Sequence, residues 1–150
     1  MPDTVARALP TLAATEALAA DVARLTRPGD AILLEGPLGA GKTAFARGFL
    51  RAGAASPALE VPSPSFTLVQ SYDTGLGMVH HFDLWRLDGP AALPELGWDD
   101  ARADIVLVEW PDRLGPLRPT DALTIALTPA GDTARTAVLS GWPDRLGALA

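Results

Sequence analysis

No cysteine occurs in this chain of 150 residues. The absence excludes disulfides, thiolate metal sites and a cysteine nucleophile, and it fits a reducing compartment, so a cytoplasmic location is expected. Lysine is almost as scarce: Lys42 stands alone, and every other basic residue is arginine. Positive charge is in deficit, with a net charge of −6. That argues against unaided binding to nucleic acid, whose phosphates are met by lysine and arginine; an acidic chain reaches RNA through a phosphate pocket of its own or through a basic partner. Long hydrophobic runs are missing too. None approaches the roughly 18 residues of a membrane span, and Met1 to Leu12 has no charged start followed by an apolar core. Neither a transmembrane helix nor a signal peptide is expected. What remains is 48% hydrophobic residues in a length suited to one domain, 1–150, around one core.

One stretch organises the rest. Gly36-Pro37-Leu38-Gly39-Ala40-Gly41-Lys42-Thr43 fits G-x-x-x-x-G-K-[ST], the phosphate-binding loop. Ala31 to Leu34 before it reads as a buried strand, and Thr43 to Leu50 after it as a helix, which is the context the motif needs. Glycines allow backbone N–H groups to turn inward around phosphate oxygens, and the helix N-terminus adds partial positive charge. Lys42 then reaches the β- and γ-phosphates, and the Thr43 hydroxyl can ligate Mg²⁺. In a chain that otherwise uses only arginine, a lone lysine at this position points to a point-charge role that arginine does not fill.

In chain order, Thr15 to Leu25 reads as a helix with Thr15 as its N-cap and Leu18, Val22 and Leu25 on its core face. Phe45 and Phe49 are expected to pack on the sheet. Pro57, Pro62 and Pro64 make 54–64 a loop. Ser65 to Tyr72 and Met78 to Phe82 read as a hairpin, Ala91 to Leu96 as a short helix, and Ile105 to Val108 as a second central parallel strand. Pro111 to Leu117 reads as the start of a short helix. Leu123 to Leu127 and Thr133 to Leu139 read as a terminal antiparallel hairpin. The hexapeptide Trp110-Pro111-Asp112-Arg113-Leu114-Gly115 recurs as Trp142-Pro143-Asp144-Arg145-Leu146-Gly147, each copy after a predicted strand.

A phosphate-loop enzyme needs a carboxylate for Mg²⁺ and often a second group to position water, and in open α/β sheets that chemistry lies at the carboxyl ends of strands. Asp83 and Glu109 both follow predicted strands, and both stand as candidates for the direct metal contact. His80 and His81 are the only histidines. Neighbours on a strand point to opposite faces, so they cannot share one ion, and both are read as structural.

These stretches together resemble a known family, the small bacterial ATPase TsaE (also called YjeE) of tRNA threonylcarbamoyladenosine biosynthesis. The resemblance is carried by Gly36 to Leu50, Val61 to Val69, His81 to Leu87 and Leu107 to Pro111, in that order, and spans about residues 9 to 140. It implies a single-domain α/β fold of the P-loop NTPase type, with a mixed, mainly parallel central sheet and flanking helices. It implies ATP on Gly39, Ala40, Gly41, Lys42, Thr43 and Ala44, with Thr43 and Glu109 as the Mg²⁺ pair. Asp83 resembles a carboxylate needed for hydrolysis. Ser65 and Thr67 resemble a switch-like loop, Trp110 a residue lining the nucleotide site, and Thr11 or Leu12 and Arg135 positions near the nucleotide. The family acts with TsaB and TsaD on adenosine 37 of tRNA, so tRNA is met only through that complex, and no membrane is involved. The chain departs from the family at Ser65, where threonine is commoner and a hydroxyl is kept. It departs again at Trp85, where tyrosine is commoner and an acceptor is lost.

Two other classes share the loop. A small-molecule or nucleoside kinase would add an arginine-bearing lid, for which Arg113 and Arg118 are the nearest candidates. A nucleotide-sensing module would bind without useful hydrolysis.

Overall fold

Seven strands form the sheet of the computed structural model, which describes residues 3–150. They are β1 (Thr4–Leu9), β2 (Ala31–Glu35), β3 (Val69–Thr74), β4 (Gly77–Asp83), β5 (Ile105–Glu109), β6 (Leu123–Pro129) and β7 (Arg135–Ser140). Their order is β1-β7-β6-β2-β5-β4-β3. The four central strands, β6, β2, β5 and β4, are parallel. β7 and β1 extend one side and β3 the other, all antiparallel. The sheet is therefore mixed, as expected, with its parallel pairs gathered at the centre.

The central strands are apolar on both sides because both faces are covered. Ile32, Leu34, Ile105 and Leu107 face α1 (Leu12–Leu25) and α2 (Lys42–Gly53). Ala31, Leu33, Val106 and Val108 face a second cluster built from Phe82, Leu84, Leu93, Leu114 and Trp98, the last in the single turn α3 (Trp98–Ala101). Phe45 and Phe49 are completely buried under the first face. α1 and α2 lie close together there: a Cβ on Gly48 would stand 3.2 Å from the Ala19 Cβ and 3.3 Å from the Glu16 Cα. Among the described residues, no helix is long and apolar enough to cross a membrane.

Several elements depart from the sequence reading. α1 begins a turn earlier than expected. Thr11 is its N-cap, its Oγ1 accepting from the Ala14 N–H at 3.1 Å, while Thr15 is buried inside the helix. Both threonines can cap, and Pro10 favours the first by ending the preceding strand. β1 was not expected; Val5 and Leu9 are its buried residues, and Arg7 is spent on Asp21 and the Leu149 carbonyl. The hairpin strand starts at Val69 rather than Ser65, because Leu68 turns the chain through a positive φ of 69°. The 91–96 helix resolves into two 3₁₀ turns, Pro90–Ala92 and Pro94–Leu96, since Pro94 cannot continue an α-helix. In Pro111–Leu117 the 3₁₀ course breaks at Gly115.

The repeated hexapeptide folds the same way twice. Trp110 and Trp142 both adopt positive φ, 59° and 48°, and each carbonyl accepts from the arginine N–H three residues on. Trp142 is buried, with Arg145 stacked 3.8 Å from its ring centroid and paired to Asp30.

Phe49→Ala is expected to destabilise the fold by about 3–5 kcal/mol, read as a lower denaturation midpoint at unchanged m-value.

Candidate functional site

Parallel pairing brings the carboxyl ends of β2, β5 and β4 side by side. Leu34 is the register partner of Glu109 across one pair, and Asp83 that of Glu109 across the next. The glycine loop leaves β2 and enters α2 at Lys42. Gly41 is the N-cap, at φ 100°, a conformation that L side chains rarely adopt. No side chain caps this helix and its first turn holds no acid, so its leading N–H groups are free to meet an anion.

A cleft of about 320 Å³ opens there. Of the residues expected from the sequence, it brings together Gly39, Ala40, Gly41, Lys42, Thr43, Ala44, Ser65, Asp83, Glu109, Trp110 and Arg135. Thr11 is not among the lining residues, because its hydroxyl caps α1; Leu12 instead lines an adjoining cavity with Gly41, Ala44 and Arg135. Thr67 is also absent from the lining. It is exposed and accepts from the Gln70 amide at 3.1 Å.

Glu109 is the most constrained group in the cleft. It is buried, and each of its oxygens has a partner: Thr43 Oγ1 donates to Oε1 at 2.9 Å, and His81 Nε2 lies 2.7 Å from Oε2. Asp83 beside it accepts from the Trp85 N–H at 3.1 Å and from the Ser65 hydroxyl at 3.4 Å. Burial raises the Asp83 pKa above the ordinary carboxylate value. The Trp85 N–H opposes that rise, the Glu109 charge adds to it, and His81 and Ser65 oppose it. Lys42 donates to the carbonyls of Gly36 and Pro37 and sits 4.0 Å from the Trp110 ring centroid. Burial lowers its pKa, while Glu109, Asp83 and Asp112 pull it back up. Trp85 packs on Trp110 at 4.6 Å, closing the cleft wall beside Lys42.

The residues fit a magnesium nucleotide. Thr43 and Glu109 offer hard oxygen donors in contact with each other, and Mg²⁺ is usually held by one or two protein oxygens together with substrate phosphates and water. No larger cage of His, Cys, Asp and Glu gathers among the described residues. Arg135 supplies an unspent donor: its Nη1 is tied to hairpin carbonyls, while its buried Nε has no partner and would lie 3.6 Å from a Cβ on Gly41. The Arg135 side chain thus lies against the glycine loop at Gly41.

The arginines considered for a kinase-type lid are engaged elsewhere. Arg113 pairs with Asp112 and Arg118 with Glu35, and neither lines the cleft. The two histidines do face opposite ways. His80 bridges Ser71 and Asp104 on the far side of β4, while His81 is buried against Glu109. Ser63 and Trp85 also line the cleft and were not assigned to it from the sequence. Ser63 lies within the Val61 to Val69 stretch and is bonded to Ser65 at 2.7 Å.

A family model described as "Threonylcarbamoyl adenosine biosynthesis protein TsaE" matches residues 9–137. A tRNA threonylcarbamoyladenosine biosynthesis protein TsaE of Bacillus subtilis is 36% identical over 81% of this chain and 75% of its own length. A Rickettsia felis protein of the same description is 38% identical over 64% of this chain, and that match spans just over half, 56%, of the relative. Among solved structures, Bacillus subtilis YdiB superposes with a TM-score of 0.79 at 29% identity, covering 99% of this chain and 93% of that one.

The raised pKa of Asp83 has a consequence for stability. The folded protein holds this proton more tightly than the unfolded chain does, so the site is most favourable at low pH and loses stability as pH rises above the ordinary value of 3.8. Asp83→Asn removes the titration. Its urea midpoint is expected to gain on the wild type between about pH 3 and pH 7; a gap that stays constant with pH would contradict the assignment.

Proposed function

This chain belongs to the TsaE family of threonylcarbamoyl adenosine biosynthesis proteins, and from that membership we propose that it is the Mg²⁺-dependent ATPase of the pathway. In this reading it works in the cytoplasm with TsaB and TsaD on adenosine 37 of tRNA. The observation that carries the reading is the Thr43–Glu109 hydrogen bond of 2.9 Å, set between the glycine loop and Asp83.

ATP lies along Gly39 to Ala44, its phosphates met by the loop N–H groups and the start of α2. Lys42 uses two of its N–H bonds on the loop itself and turns the remaining one to the phosphates. Thr43 and Glu109 hold Mg²⁺, which when bound neutralises charge on the phosphate oxygens. Asp83, whose pKa is raised by burial, orients the attacking water beside Ser65. Trp110 and Arg135 flank the nucleotide.

The transition state spreads charge over the γ-phosphoryl, where an added cation is worth about 10³–10⁵ in rate. Lys42 and Arg135 are the cations lining the cleft. Arg86 donates to the Ser65 carbonyl and lies over the Phe66 ring, Arg51 bonds the Leu59 carbonyl, and neither reaches the loop. Two of the cleft-lining residues are exposed apolar side chains, Leu38 at 68% and Trp85 at 42%, and Phe66, next in sequence to the lining residue Ser65, is 84% exposed. Exposed apolar side chains suit a protein partner, and TsaB and TsaD would complete the active geometry there.

Steady-state ATP hydrolysis tests this, measured for the protein alone, with each partner and with both. Slow turnover alone and a large gain with both partners are expected; full activity alone, with no gain, would refute the model. The two acids should separate as well. Glu109→Gln is expected to raise the Mg²⁺ concentration needed for tight nucleotide binding, whereas Asp83→Asn should mainly slow cleavage. The opposite pattern would exchange their roles.

A further inference from the structure

His81 is completely buried at the floor of the cleft, on the α2 side of β4, and it lines no part of the open space. Its Nε2 lies 2.7 Å from Glu109 Oε2. Its other ring nitrogen, Nδ1, is buried without a partner. A carboxylate oxygen only accepts, so a hydrogen belongs on Nε2. A buried ring nitrogen left unmatched is a cost, and burying a carboxylate without hydrogen bonds is a larger one. Among the described residues, the one hydrogen bond of the His81 side chain goes to Glu109. The other Glu109 oxygen goes to Thr43. With both oxygens held, the carboxylate plane has one orientation, and the edge that meets Thr43 is fixed.

We propose that His81 is a positioning residue that fixes the Glu109 carboxylate toward Thr43, and so sets the nucleotide's metal dependence without touching metal or nucleotide. This rests on the reading of Thr43 and Glu109 as the Mg²⁺ pair. Outer partners that orient a metal ligand are typically worth about 10- to 100-fold in affinity. His80 serves as the internal contrast. It is adjacent in sequence and also hydrogen-bonded, but its partners are Ser71 and Asp104 on the opposite face.

ADP affinity measured with Mg²⁺ and with a chelator tests the proposal in the full chain. In His81→Leu the Mg²⁺-dependent gain in ADP affinity should fall about 10-fold or more, while metal-free affinity stays close to wild type. His81→Gln, whose amide can present a donor where Nε2 stands, should recover most of the gain. His81→Asn, whose shorter amide falls on the Nδ1 side, should not, and it substitutes for the leucine variant if that fails to fold. An unchanged Mg²⁺ gain in His81→Leu or His81→Asn would overturn the proposal. Equal losses with and without Mg²⁺ would also overturn it, because they would mark a structural role alone. If the wild type shows no Mg²⁺-dependent gain, the metal reading of the site falls and this proposal with it; if the wild type shows the gain and the variants keep it unchanged, the proposal fails and the metal reading stands.

Discussion

The buried Glu109 carboxylate is the constraint around which the site is arranged. An acid at the carboxyl end of the central strand, under a helix, has little water to satisfy it, so its partners must come from the protein. They come from two elements: Thr43 from the first turn of α2 and His81 from β4. Each partner can be there only if β2, β5 and β4 are parallel neighbours in this register. The carboxylate thus ties the phosphate loop, the central strand and the Asp83 strand to one another, and a shift of any of them would leave a buried oxygen without a donor.

Stability is given up around this point in recognisable ways. Lys42 and Asp83 are both removed from water, and burial moves the pKa of each against its charged form. Arg135 Nε and His81 Nδ1 are left without partners. Leu68 and Trp110 take positive φ angles that bulky side chains rarely adopt. Similar costs occur away from the site, at the unpartnered Tyr72 hydroxyl and at Trp142, whose φ is positive and whose buried Nε1 has no partner.

The repeated hexapeptide shows how far a local pattern reaches. Trp-Pro-Asp-Arg-Leu-Gly makes the same left-handed tryptophan and the same tight turn at both places. Yet Trp110 borders the cleft between Lys42 and Trp85, and Trp142 is buried beneath Arg145. The turn is encoded in six residues; what the tryptophan then touches depends on which strand precedes it.

Much of the site was legible because its signals are local. The phosphate loop is contiguous, its strand and helix flank it directly, Glu109 closes an apolar run and Asp83 follows a predicted strand. The sequence by itself therefore determined the loop, the helix it opens, the main strands and the two acids. Signals without a unique local reading were missed or displaced. Either Thr11 or Thr15 can cap a helix, β1 (TVARAL) carries two alanines and an arginine in place of a clear apolar run, and the 65–68 stretch alternates like a strand but is turned at Leu68. The tertiary structure alone decided that β1 closes on β7, that Leu12 rather than Thr11 borders the cavity, and that His81 meets Glu109 across 28 residues of chain. Those contacts depend on strand order and register, and residues far apart in the chain acquire neighbours only when the sheet is assembled.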